Sequence, residues 1–239
     1  MDTTTTLFFG AFVGRLFSLI RIVFVTSAVL CGGLILTGLL SVISYRLHLE
    51  DGLEASYQTH TSIAALDNLL STISIFPFIS IYLLLIVWTR KAYKISEAAS
   101  VNQFERKFSR RMSVGAWFIP IVNLSTPKRV ISEIEQILDV GADFDASGLS
   151  WQSRPKRKSG TWWWALWITT NLTDRFLFPL TIKTDAEGFL TEDSLYQSTA
   201  LYSVSNVITI ISLILGIGYL GHITRNAESV RRTQSFNEV

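Results

Sequence analysis

From Ile22 to Tyr45 the chain reads "IVFVTSAVLCGGLILTGLLSVISY", with no charged residue. No other feature constrains the fold as much. A hydrocarbon layer about 30 Å thick is crossed by about 20 helical residues, and inside it every backbone N–H and C=O must find its partner within the segment or a closed barrel. An α-helix meets that condition alone. Two further runs repeat the pattern, Leu69 to Thr89 "LLSTISIFPFISIYLLLIVWT" and Ala200 to Gly221. Pro77 is expected to kink the former, because its ring removes a donor and crowds the preceding turn. A fourth segment, about Thr161 to Thr181, is apolar but carries Asp174 and Arg175. The expectation is an all-α polytopic membrane protein with four spans at about 22–45, 69–89, 161–181 and 200–221. With 49% apolar residues and a mean hydropathy of +0.35, the composition agrees.

Lys and Arg set the orientation. Arg15 and Arg21 precede the first span, whereas the connector from Arg46 to Asp67 is acidic through Glu50, Asp51, Glu54 and Asp67. The connector at 90–160 is strongly basic, the one around Lys183 to Asp193 is acidic, and Arg225, Arg231 and Arg232 follow the last span. Both termini and the middle connector are therefore expected in the cytoplasm. Residues 1–21 read either as a helix in the headgroup layer, from Phe8, Phe12, Leu16 and Leu19 at helical spacing, or as a tail leading into the first span. Residues 22–221 form the membrane domain with its connector, and 222–239 a polar cytoplasmic tail.

About seventy residues separate the second and third spans, too many for a turn. Ala92 to Arg110 reads as a helix continuing the second span. "KRVISEIEQILDV", Lys128 to Val140, puts Val130, Ile131, Ile134, Ile137 and Leu138 on one face, with Ser125 or Thr126 as cap and Pro127 in the first turn. "GADFDASG" ends it. Arg154, Lys156, Arg157 and Lys158 then form a basic linker suited to anionic headgroups. Between the two helices lies "GAWFIPIVNLSTPKRV", apolar but too short to span. Three readings compete: a re-entrant or interfacial segment with Trp117 at headgroup depth, the turn of a cytoplasmic subdomain, or a docking surface for another protein.

"FSRRMSVGAWFIPIVNLSTPKRVISEIEQI", after a span ending "VWTRKAYK" and before "TWWWALWITTN", resembles a bacterial four-span membrane family known only as a domain of unknown function, DUF4328. The resemblance runs from about Leu69 to Leu220, and Trp117, Pro120, Asn123 and Pro127 are its most specific part. Members usually open the third span with paired Trp, here within Trp162 to Trp164. The resemblance implies the four-span topology and a bacterial inner-membrane location, and brings no activity. The polar connector after the first span departs from the pattern.

Candidate chemistry is sparse. Asp174 and Arg175 are the ionisable residues nearest membrane depth, and such residues are functional suspects. Neighbours on a helix point about 100° apart, so each needs another partner. The competing reading has the third span unwinding or ending near Thr173, with Pro179 marking the break. Asn171 could bond between helices. Trp162, Trp163 and Trp164 read as interface anchors of the aromatic belt rather than a ligand cage. Ser27, Cys31, Gly38 and Ser41 on the first span, and Ser205, Thr209, Ser212 and Gly216 on the last, read as close-packing seams. His48, His60 and His222 are scattered, no His, Cys, Asp and Glu set has zinc-ligand spacing, and Glu133 with Glu135 make a poor acid/base pair. No cofactor is expected, and the charge of +2 gives no reason to expect nucleic acid.

The expected function is that of a non-enzymatic interaction or regulatory membrane protein. It would act through the connector's amphipathic helix, with Trp117, Pro120, Asn123, Pro127, Ile131 and Ile134 as the motif for a protein partner or a second copy. The alternatives are a small transporter or channel using Asp174 and Arg175, and a lipid-modifying enzyme.

Overall fold

The computed structural model describes residues 3–51, 54–99, 106–142, 151–183 and 191–237. All of its regular structure there is helical. Three long helices dominate: α1 (Thr3–Asp51), α2 (Glu54–Ala99) and, at the C-terminal end, α8 (Glu192–Asn237). Between α2 and α8 come the short α3 (Met112–Gly115) and α4 (Pro120–Asn123), then α5 (Thr126–Ala142). A single 3-10 turn (Trp151–Ser153) leads to α6 (Lys158–Leu172), a π-helical turn (Thr173–Leu177) and α7 (Phe178–Thr181).

Among the described residues, three helical stretches are long and apolar enough to cross a membrane: Phe12–Leu47, Gln58–Glu97 and Glu192–Thr233. Their side chains are distributed as a lipid solvent requires. Ile22, Val25, Val29 and Leu36 of α1 and Ile75, Phe76, Ile79 and Leu83 of α2 are exposed, while Thr37, Ser44, Ser205, Asn206 and Ser212 are buried. In hydrocarbon an outward Leu loses nothing, whereas an unpaired hydroxyl loses several kcal/mol, roughly, so polar atoms turn inward. The chain is a helical membrane protein. Its α2 continues through Pro77 as one helix. From Lys158 to Thr181 the backbone is helical throughout, but in three segments, because the register widens to a π turn at Thr173–Leu177.

Other expectations shift at their edges. From Thr3 onward, the expected N-terminal segment and the first span form one unbroken helix. Helix α2 is described as far as Ala99, short of the expected Arg110. Gly141 and Ala142, which open the expected "GADFDASG" break, still belong to α5; its remainder, 143–148, and most of the acidic connector after Lys183 lie outside the described residues. The polar tail from His222 continues α8 to Asn237, and Ile223, Thr224, Ala227 and Val230 are buried.

The chain divides into two compact units. One comprises Phe24–Ile79 and Ala165–Leu213. There Thr37 Oγ1 donates to Asp67, Arg46 Nε donates to the Tyr196 hydroxyl at 3.0 Å, and Ser44 Oγ lies 3.2 Å from His60 Nδ1. At Gly38 a Cβ would meet Thr199 Cγ2 at 3.2 Å, so the missing side chain lets α1 and α8 approach. A cavity of about 350 Å³ opens beside them, lined among others by Ser41, Asp67, Asn68, Ser71 and Tyr202.

The other unit comprises Met1–Val23, Ser80–Trp164 and Ile214–Val239. Its core is aromatic and aliphatic: Trp88, Trp117, Trp151, Trp163, Ile131, Ile134, Leu138 and Tyr219 are all buried. Trp88 Nε1 donates to Thr224 Oγ1 at 3.2 Å and Tyr93 Oη donates to the Phe108 carbonyl at 2.6 Å, so these two polar atoms are paired within the unit. Gly160, in the first turn of α6, lies against the Tyr219 ring so closely that any Cβ would collide with it. The ring is fully buried and cannot swing aside cheaply. Gly160→Ala is expected to destabilise the protein by about 1–3 kcal/mol through overpacking, seen as a lower midpoint in denaturant unfolding in detergent. An unchanged midpoint would show that the ring has room to move.

Candidate functional site

Helix α5 forms because its sequence carries an apolar stripe, but it is not buried as a simple amphipathic helix. Val130, Ile131, Ile134, Ile137 and Leu138 are buried as the stripe demands. So are Ser132, Glu133, Glu135 and Gln136 on the remaining faces. Both the apolar and the polar side of α5 are therefore enclosed within the unit, and each buried carboxylate needs a local partner.

Those partners are specific. Glu133 Oε2 accepts from the Lys107 backbone N–H at 3.2 Å, and Gln136 Nε2 donates to the Arg154 carbonyl. Glu135 Oε2 accepts from the Tyr219 hydroxyl at 2.7 Å, while its Oε1 has no hydrogen-bond partner and faces Arg157 Nε at 3.8 Å. One turn further along α5, Asp139 Oδ1 lies 2.9 Å from His222 Nε2 and accepts from Asn226 Nδ2. The pairs Glu135/Asp139 and His222/Asn226 are each four residues apart, so each lies on one face of its helix and the two faces meet. Oxygen and nitrogen atoms of Glu135, Asp139 and His222 come within 4.8 Å of one another, a spacing that could hold a metal ion.

Electrostatics follow from this enclosure. Burial raises the Glu135 pKa above the ordinary carboxylate range; the Tyr219 hydroxyl lowers it, the Asp139 charge raises it and Arg157 lowers it. Burial likewise raises Glu133, against the backbone N–H groups of Lys107 and Phe108 and the charges of Arg106 and Lys107. Lys128 is lowered, first by burial and then by the nearby charge of Lys156.

A match to the domain of unknown function DUF4328 covers residues 51–225. The chain belongs to the DUF4328 family. Glu135, Asp139, Tyr219 and His222 lie inside the DUF4328 region, and Asn226 falls one residue beyond it. No curated protein and no solved structure matches the chain.

The residues that carry the DUF4328 resemblance lie in the same compact unit as this cluster. Trp117 is buried, edge-on to Tyr82 and Trp164 with ring centres 6.3 and 5.9 Å away. Pro120 opens α4 and Asn123 closes it, with the Asn123 N–H donating to the Ile119 carbonyl at 2.7 Å. Pro127, Ile131 and Ile134 are buried in the same unit. Phe118, Ile119 and Leu124 are exposed, Phe118 at 68%. Of the three Trp expected as anchors, Trp162 points outward, while Trp163 and Trp164 are core residues. Trp163 packs on Tyr219 and Trp164 Nε1 donates to the Leu124 carbonyl at 2.8 Å. Lys156, Arg157 and Lys158 are exposed.

Asn171 Nδ2 donates to the Trp167 carbonyl at 2.7 Å, one turn back in its own helix. Asp174 and Arg175 sit at the chain surface in the π turn, and Asp174 accepts from the Ser205 hydroxyl at 2.7 Å.

Sequence reasoning treated Glu135 as half of a poor acid/base pair and His222 as an isolated residue of a tail. The signal that could have joined them is the repeated four-residue spacing, Glu135 to Asp139 and His222 to Asn226. Tyr219→Phe keeps the buried ring but deletes the donor to Glu135. It is expected to lower stability by about 1–3 kcal/mol. Paired with Glu135→Leu, its cost should fall short of additive by more than about 0.5 kcal/mol in a double-mutant cycle. Strict additivity would remove the Tyr219–Glu135 interaction from the account.

Proposed function

We propose that this protein is a non-enzymatic regulatory or interaction protein of the membrane, whose connector helix α5 is a docked arm that couples the connector to α8. In this reading the segment Lys158–Thr181 is a fourth span, and the connector and both termini lie in the cytoplasm, the compartment favoured by the basic connector and tail. The observation that carries it is the enclosure of the polar face of α5 by side chains of α8. Tyr219, His222 and Asn226 all engage Glu135 or Asp139. A dock built only of apolar side chains would be stronger; one held through buried polar groups is specific and more readily separated.

The partner surface of first choice is the bilayer itself. Phe118, Ile119 and Leu124 project from the turn between α3 and α5, flanked by the exposed Arg110, Arg111 and Arg129. A cavity of about 380 Å³ lined by Ile86, Val87, Arg90, Lys91, Lys94 and Arg110 offers four cations above apolar walls, chemistry suited to an anionic headgroup. The basic residues Arg154, Lys156, Arg157 and Lys158 add to the same field.

A transporter or channel is the second reading, favoured by the π turn at Thr173–Leu177 and the Asp174–Ser205 hydrogen bond at 2.7 Å, since such turns recur at functional sites.

Hydrogen exchange on the full chain in lipid nanodiscs tests the docked arm. Asp139→Ala should raise exchange selectively in 126–142, leaving the long helices protected. If α5 exchanges only together with α1, α2 and α8 in both proteins, it is a fixed strut and the coupling reading fails.

A further inference from the structure

We propose that Glu135, Asp139 and His222 bind one divalent first-row transition cation of the Zn²⁺ class, which pins α5 to α8. Binding stands on its own geometry; the pinning rests on the docked-arm reading above.

One ligand atom each from Glu135, Asp139 and His222 lies within 4.8 Å of the others, where a face of α5 meets a face of α8. Asp139 Oδ1 and His222 Nε2 are 2.9 Å apart, and Asn226 Nδ2 donates to the same Asp139 oxygen from the side. When the ion enters, His222 presents the Nε2 lone pair to it and releases any proton held there to solvent, while Asn226 keeps orienting Asp139.

Spacing and charge agree. Around an ion bound at about 2.0–2.2 Å, neighbouring donors stand roughly 3.0–3.5 Å apart, so the Asp139–His222 edge of 2.9 Å need open only slightly, and Glu135, within 4.8 Å of both, needs only a side-chain adjustment to join them. A second, separate sign comes from Glu135. Its side chain is 1% exposed, yet Oε1 has no hydrogen-bond partner. The two carboxylates bring two negative charges, while the Arg157 side chain, 51% exposed, can turn outward as the ion enters. Tyr219 Oη, donating to Glu135 at 2.7 Å, orients the ligand from behind. One imidazole with two carboxylates favours Zn²⁺, Co²⁺ or Mn²⁺ over Mg²⁺ and Ca²⁺, which prefer all-oxygen shells.

The test uses the full chain, tag removed, stripped with EDTA and held in detergent at pH 7. Calorimetric titration with ZnCl₂ should give one saturable site per chain, with no comparable site for MgCl₂. His222→Ala and Asp139→Ala should each weaken Zn²⁺ binding by at least about 10-fold, as loss of a ligand requires. Co²⁺ should give a visible absorption band that Zn²⁺ displaces, a readout on wild-type protein that does not depend on how any variant folds. Absence of a one-to-one Zn²⁺ site in the wild type, or a site unaltered in both variants, overturns the proposal. Hydrogen exchange then separates the two ideas: Zn²⁺ should slow exchange in 126–142. Binding without that slowing removes the pinning role; no binding, with α5 still exchanging independently of the long helices, removes the metal and leaves the docked arm standing.

Discussion

The contact on which the second half of this protein depends is a buried hydroxyl holding a buried carboxylate, Tyr219 to Glu135 at 2.7 Å. Removing a carboxylate from water is costly unless it is bonded, and Glu135 sits on a helix whose opposite face must also be covered. The surroundings answer that demand one by one. Gly160 leaves room for the Tyr219 ring, Trp163 packs on it with ring centres 5.7 Å apart, and Arg157, three residues before Gly160, brings its charge to Glu135. The turn that opens α6 and the polar end of α8 are thus fixed by one side chain of α5.

Burial follows two patterns along the chain. Along the membrane helices the large apolar residues face outward, and small or polar ones, such as Thr37, Ser44 and Ser212, are buried. Association there rests on close backbone approach, as at Gly38 and Thr199, and on short polar links such as Thr37 to Asp67. In the unit that holds α5, Trp88, Trp151, Leu138 and Tyr219 are also buried, which gives that unit a core of large side chains. Helix α8 serves both regimes: its early turns contribute Ser205 and Asn206, its later ones Tyr219, Ile223 and Val230.

How far the sequence could be read follows from which signals are local. Charge-free runs such as Ile22 to Tyr45 report a membrane helix without reference to anything else, and α1, α2 and α8 contain the runs read that way. The apolar stripe of α5 is equally local, and the expected Lys128 to Val140 differs from Thr126–Ala142 by two residues at each end. The stripe says which side of α5 is apolar, but nothing about whether the other side meets water. The α8 partners of Glu135 and Asp139 lie more than eighty residues away, and pairings at that separation leave no trace in periodicity. His222 also stands where hydropathy falls, so it looked like the first residue of a solvated tail, although α8 continues through it. The Trp run carries a similarly non-local signal. Aromatic residues at the edge of a span usually mark the headgroup layer, yet Trp163 and Trp164 are claimed by Tyr219 and by the Leu124 carbonyl.

The polar side of α5 also supplies something that its apolar side cannot. Contacts among Val130, Ile131, Ile134 and Ile137 are non-directional, and a helix held by them alone could slip by one turn, about 5.4 Å, and bury nearly the same area. Glu135 and Asp139 forbid that slip. Moved one turn, Glu135 would leave Tyr219 and meet the place of His222, while Asp139 would lose both His222 and Asn226. The paired four-residue spacings therefore act as a register key: they add little to the strength of the dock and nearly everything to its uniqueness. A connector positioned in this way can hand a fixed displacement to α8, whereas one held by grease alone would absorb it by sliding.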